Sequence, residues 1–295
     1  MYRTILFAVD DDEALPPAIP MVAAYALQNR ARVCVLHVQR DGAEGPNPVR
    51  RRLVTAVVEQ LWGSGVDACG ELRIVRPGDD VAEVVARAAR TADADLVAIA
   101  ARGSVGLGAA FLASVAQRVA AGLEVPVLVL RSAEDGFGGA GRVLVAVDGT
   151  ATGGLALAEA AEVALAFGSA VRVVHVAPDV TAGRGQEAVV DRAVAFLRRR
   201  EVDASGELLA ANEGVAAAIV TSARSFGADV LVLGSRRPPS LGGLLLGSVA
   251  HQVVRLARRP VLLARSTPGA RRRADQWEAA PVDSRTPALV LLPRV

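Results

Sequence analysis

The chain has 295 residues, enough for two ordinary domains of roughly 100 to 200 residues each. Its composition is 52% hydrophobic but only 3% aromatic, as expected of a parallel sheet of Val and Leu covered by Ala-rich helices. All 33 basic residues are Arg, which excludes a P-loop lysine, a Schiff-base lysine and a lysine general base. Against 31 acids the net charge is +2, too weak a field to argue for nucleic acid as a partner.

Apolar runs alternate with Ala-rich stretches of helical period, the pattern of βαβ units. The first half predicts strands near 4–9, 33–38, 70–75, 95–99 and 126–130, with helices near 15–29, 49–62, 79–91 and 113–121. The second half predicts strands near 142–147, 171–176, 206–211, 229–233 and 260–264, with helices near 153–167, 186–200, 213–226 and 248–257. The halves are copies. Residues 5–10 (ILFAVD) and 33–38 (VCVLHV) return 138 positions later as VLVAVD and VRVVHV. Residues 95–100 (DLVAIA) and 126–132 (PVLVLRS) return at 134, as DVLVLG and PVLLARS. A period this long marks a duplicated domain rather than a solenoid of roughly 20- to 50-residue units.

The Gly-rich stretch 133–141 (AEDGFGGAG) reads as a connector, which places the domains at 1–134 and 139–268 with a C-terminal tail at 269–295. The N-terminus opens directly into a strand and no 18 apolar residues run uninterrupted, so a cytoplasmic protein with no membrane span is expected. Cys34 and Cys69 have no metal-ligand spacing and read as small buried hydrophobes in a reducing compartment. His37 and His175 lie in apolar strands and read as structural, and His251 as a helix-surface or interface residue.

In an open parallel sheet a ligand sits outside the carboxyl ends of the strands, where the strand order reverses. The loops after the first and fourth strands of each copy therefore matter most. After the first strand come Asp10 to Glu13 in one copy, and Asp148, Gly149 and Thr150 in the other. After the fourth come 100–114 (AARGSVGLGAAFLAS) and 234–248 (GSRRPPSLGGLLLGS), each ending on a small residue and Ser where a helix begins. Such a loop is an anion site in physical terms, with uncovered N–H groups and the positive end of the helix dipole converging. The same residues also cap helices for structural reasons, with Ser248 as N-cap. Arg236 and Arg237 offer bidentate contacts to phosphate, while Pro238 and Pro239 remove two amide donors from the loop.

On these residues the chain resembles the universal stress protein family, over both copies. Nucleotide-binding members carry an Asp after the first strand and G-x2-G-x9-G-[S/T] after the fourth. The second copy matches with Asp148, Gly234, Gly247 and Ser248, with Arg237 at the second Gly; the first keeps Asp10, Gly103 and Ser114, with Ala100 and Ala113 replacing Gly. The resemblance implies two tandem Rossmann-like (adenine nucleotide alpha hydrolase-like) α/β domains, each a five-stranded parallel sheet with four helices. It implies ATP, with or without Mg2+, held mainly in the second domain by Asp148, Gly149, Thr150, Val176, Leu233, Gly234, Arg236, Arg237, Gly247 and Ser248. A weaker site is expected at Asp10, Val38, Ile99, Gly103 and Ser114.

The expected role is a nucleotide-responsive stress or signalling protein, not an enzyme. Two other readings stay open: a nucleotide-free interaction protein with degenerate sites, and a slow ATPase. No H-x-G-H pair, S-G-G-x-[ST] loop or G-x-S-x-G elbow supports group transfer or hydrolysis. The resemblance further implies pairing of the two domains through their fifth strands; a homodimer stays open, since the sequence does not fix the number of chains, and the protein partner is unidentified.

Overall fold

The apolar runs of the repeat become parallel strands, deeply buried in the middle of each sheet and partly exposed at 68–75 and 204–210, and the stretches of helical period become helices that cover them. The computed structural model describes residues 2–10, 15–40, 45–76, 78–101, 115–116, 118–120, 122–131, 139–177, 184–235 and 247–265. Contacts divide the chain into two units, with the change between Gly139 and Ala140, inside the Gly-rich connector.

The first unit contains β1 (Thr4–Val9), α1 (Leu15–Asn29), β2 (Arg32–Arg40), α2 (Pro48–Gly63), β3 (Ala68–Val75), α3 (Val81–Thr91), β4 (Leu96–Ala101) and β5 (Val127–Arg131). Residues 115–116, 118–120 and 122 are helical too. The strands lie in the order β3-β2-β1-β4-β5, all parallel. Burial on both faces explains the unbroken apolar runs: every residue of β1 is buried.

The second unit repeats the plan with β6 (Arg142–Ala146), α4 (Ala151–Phe167), β7 (Ala170–Ala177), α5 (Arg184–Arg198), β8 (Ala204–Ala210), α6 (Val215–Phe226), β9 (Val230–Gly234), α7 (Ser248–Leu256) and β10 (Val261–Ala264). Its order is β8-β7-β6-β9-β10, again parallel.

Local chemistry sets the boundaries. Asn47 caps α2 by accepting from the Val49 N–H at 2.8 Å, with Pro48 in the first turn, and Asp80 caps α3 by accepting from the Ala82 N–H at 2.9 Å. Gly227 ends α6 in the left-handed conformation, φ +67°. The late Asp of each repeat ties strand starts together: Asp95 accepts from the N–H of Arg3 at 2.7 Å and of Thr4 at 3.1 Å, and Asp229 from the N–H of Arg142 at 2.9 Å.

One set of boundaries shifts. The third strands begin at Ala68 and Ala204, two residues before the predicted 70 and 206. Gly70 lies inside β3 where α2 packs close: a Cβ there would lie 2.5 Å from Val54 Cγ1. The predicted tail at 269–295 lies outside the described residues.

Candidate functional site

In the second unit the chain turns sharply as it leaves β6. Asp148 Oδ1 accepts from the Thr150 N–H at 3.1 Å and from the Thr150 hydroxyl at 2.6 Å, and Gly149 takes φ +75° between them. The start of α4 then folds back over the carboxylate. A Cβ at Gly153 would meet Asp148 Oδ1 at 2.8 Å and Asp148 N at 2.9 Å, so only glycine lets the helix sit this low.

The end of β9 is held from both sides. A Cβ at Gly234 would collide with the carbonyl oxygen of Thr152 on α4. Beyond it, the buried Arg265 donates to the Ser235 hydroxyl at 3.0 Å and carbonyl at 3.3 Å, fixing the root of the loop that follows. On the far side of that loop Gly247 caps α7 with extended backbone (φ −55°, ψ 145°) and no side-chain bond, so Ser248 is the first helical residue. The opening amides of α7 therefore have no side-chain acceptor from the cap, the arrangement that favours an anion.

These pieces enclose a cavity of about 280 Å³. Val174, Val176, Val215, Ile219 and Leu233 make its apolar wall, while Asp148, His175, Gly247 and Ser248 supply polar groups. It lies at the carboxyl ends of β6 and β9, the pair between which strand order reverses. An apolar slot with a few polar groups suits a flat heterocycle, and this volume is at the small end of the roughly 300 to 1,000 Å³ typical of ligand sites. The Asp148 carboxylate accepts hydrogen bonds and repels phosphate, whereas the α7 terminus does the reverse.

The first unit has the equivalent cavity, about 360 Å³, between β1 and β4. Asp10, Val38, Ile99 and Ala100 line it beside Val81 and Val85, and Arg40 and Arg50 contribute cationic groups. In both units a buried histidine joins the second strand to the end of the first. His37 Nδ1 donates to the Val9 carbonyl at 2.9 Å and His175 Nδ1 to the Val147 carbonyl at 2.8 Å, the carbonyl being able only to accept. The other ring nitrogen of His175 faces the Gln186 side-chain amide.

Comparison with known proteins follows the same division. The model of the universal stress protein family matches residues 1–131 and again 139–265. The chain belongs to the universal stress protein family. Among solved structures, a universal stress protein from Archaeoglobus fulgidus DSM 4304 is 17% identical, with a TM-score of 0.72 over 90% of this chain and 97% of that one. A putative universal stress protein from Pseudomonas aeruginosa UCBPP-PA14 is 15% identical, with a TM-score of 0.66 over 94% of this chain and 98% of that one. At these identities the likeness is one of fold, a pair of universal stress protein α/β domains in tandem. A comparison with curated proteins finds no match.

Of the residues that the family motif singles out, Asp148, Val176, Leu233, Gly234, Gly247 and Ser248 come together around the second cavity. Gly149 and Thr150 stand behind Asp148 and shape its turn rather than line the cavity. Asp10, Val38 and Ile99 come together in the first. Arg236, Arg237, Gly103 and Ser114 lie outside the described residues, as do Asp11, Asp12 and Glu13.

Three readings need correction or addition. Ser248 is not the N-cap, because Gly247 takes that position and leaves the hydroxyl outside the capping geometry. The third-helix pairs Val81 and Val85, and Val215 and Ile219, were not foreseen as cavity walls. Their signal was available: apolar residues spaced i, i+4 at the helix start, recurring 134 positions later. The cysteines are not both buried hydrophobes, for Cys69 is exposed and Cys34 only half-buried. Cys69 lies on the edge strand β3, most of whose residues are at least partly exposed. Among the described residues no helix is long and apolar enough to cross a membrane, and no group of three His, Cys, Asp or Glu is placed to hold a metal ion.

Proposed function

We propose that the chain binds ATP, mainly in its second unit, and works as a nucleotide-responsive protein whose occupancy changes its interactions rather than as a catalyst. The observation that carries this reading is the cavity at the β6–β9 reversal, which joins an apolar slot to a carboxylate at one end and a glycine-capped helix start at the other. In this reading the adenine lies against Val176 and Leu233, Asp148 accepts from the ribose or base, and the phosphates meet the amides at 247–250 and the Ser248 hydroxyl. Magnesium, in this reading, arrives with the phosphates. Binding from the cytoplasm is part of the proposal.

A second reading has a specific observation behind it: two nucleotides per chain. The first-unit cavity is no smaller and has Arg40 and Arg50 on its wall, charges suited to phosphate. Isothermal titration of the full chain with ATP and magnesium tests both. A stoichiometry near one that Val176→Asp abolishes supports the leading reading, and a stoichiometry near two supports the second. Absence of heat from folded protein at about 100 μM, where a micromolar site would saturate, overturns both. Hydrolysis faster than a few turnovers per minute overturns the non-catalytic role.

A further inference from the structure

The chain has two cysteines in 295 residues, and the fold sets them side by side. Cys34 on β2 and Cys69 on β3 are register partners, with their Sγ atoms 3.6 Å apart and the Cys69 Sγ turned toward that of Cys34. Neighbouring strands are about 4.8 Å apart, within the roughly 4.4 to 6.8 Å between Cα atoms that a disulfide spans. Cys69 is exposed on the edge strand and Cys34 half-buried. Nothing in the fold demands sulfur here. In the second unit the same register pair is Arg172 and Ser205, and Arg172 lies over the Phe226 ring at 4.3 Å and reaches Glu207 at 3.8 Å.

From this geometry we infer that Cys34 and Cys69 form an oxidation site in the first unit that a hydroperoxide converts to an intramolecular disulfide. Cys69, open to solvent, attacks the hydroperoxide: an S–O bond forms, the O–O bond breaks, and the alcohol (water, for hydrogen peroxide) leaves with the thiol proton. Cys34 sulfur then displaces the sulfenic oxygen, the S–S bond forming as the S–O bond breaks, and water leaves with the Cys34 proton. Two thiols lose two electrons to one peroxide. Burial and the neighbouring Cys69 thiol push the Cys34 thiol up to about 11, so Cys34 is the slower of the pair to meet peroxide, and it reacts only with the sulfenic sulfur held beside it.

The test treats the full chain with hydrogen peroxide, counts free thiols and measures intact mass under non-reducing conditions. The expected result is loss of both thiols, a decrease of about 2 Da in monomeric protein, a linked 34–69 peptide, and return of both thiols with dithiothreitol. Cys34→Ser leaves Cys69 as a sulfenic acid that a dimedone probe captures, and Cys69→Ser protects Cys34 from peroxide. Two surviving thiols, a gain of oxygen without a cross-link, or disulfide-linked dimers in place of the monomeric product would each overturn the assignment.

Discussion

At Gly234 a single methyl group decides how β9 meets α4. Its absent Cβ leaves room for the Thr152 carbonyl, so the glycine of the family motif has a packing role before any ligand is considered. Gly234→Ala should cost roughly 1 to 3 kcal/mol through overpacking and weaken nucleotide binding as well, the first checked by urea denaturation and the second by titration. Ser248 behaves differently because it caps nothing. Ser248→Ala should leave stability within about 0.5 kcal/mol while lowering ATP affinity by up to about tenfold, the value of one hydrogen bond. Asp80, a true cap that also meets Arg118 at 3.1 Å, is the control: Asp80→Ala should cost about 1 kcal/mol of first-unit stability. Equal losses at Ser248 and Asp80 would mean that the cap assignment is mistaken.

Among the elements, α5 has a like-charge pair on one face, Glu187 and Asp191 at i, i+4. Burial first, and Glu187 second, raise the Asp191 carboxyl above its ordinary 3.8. Below that value the group is protonated whether folded or not and contributes nothing. As pH rises through the carboxylate range the unfolded chain ionises more readily, so the charged form disfavours the fold. Asp191→Asn should therefore stabilise the second unit at pH 7, with the difference vanishing below about pH 3.8, as read from denaturation curves at both values. A variant less stable at pH 7 would contradict the burial of this carboxyl. The elements themselves were largely legible, because hydrophobic period and duplication point to the same strands. What escaped was set by tertiary packing: the third strands begin two residues early, at Ala68 and Ala204, and α2 packs so closely on β3 that Gly70 has no room for a side chain. Val215 and Ile219 read as ordinary helix burial until α6 is laid against the strand ends.

At the scale of the whole molecule, the repeat offset announced a duplication, and the family model matches the chain twice, over 1–131 and 139–265. The cavity was legible where it depends on strand ends, since Asp148, Val176 and Leu233, named from the parallel-sheet rule and the family resemblance, all line it. It was less legible where the loop or a neighbouring helix decides. The first cavity gains Arg40 and Arg50, which no motif spacing singles out, and the relative strength of the two sites cannot be read from glycine count alone. If the second unit is the main site, ATP at about 100 times its Kd should raise that unit's unfolding free energy by about 2.7 kcal/mol, an effect that Val38→Asp in the first unit leaves intact and Val176→Asp removes.

The central claim is that the β6–β9 cavity holds a nucleotide. A crystal structure of the full chain grown with magnesium and a non-hydrolysable ATP analogue tests it most directly. The expected density places the base against Val176 and Leu233 and the phosphates at the start of α7, beside Ser248. A bare second cavity in crystals at saturating analogue, whether or not the first unit binds, would contradict the account.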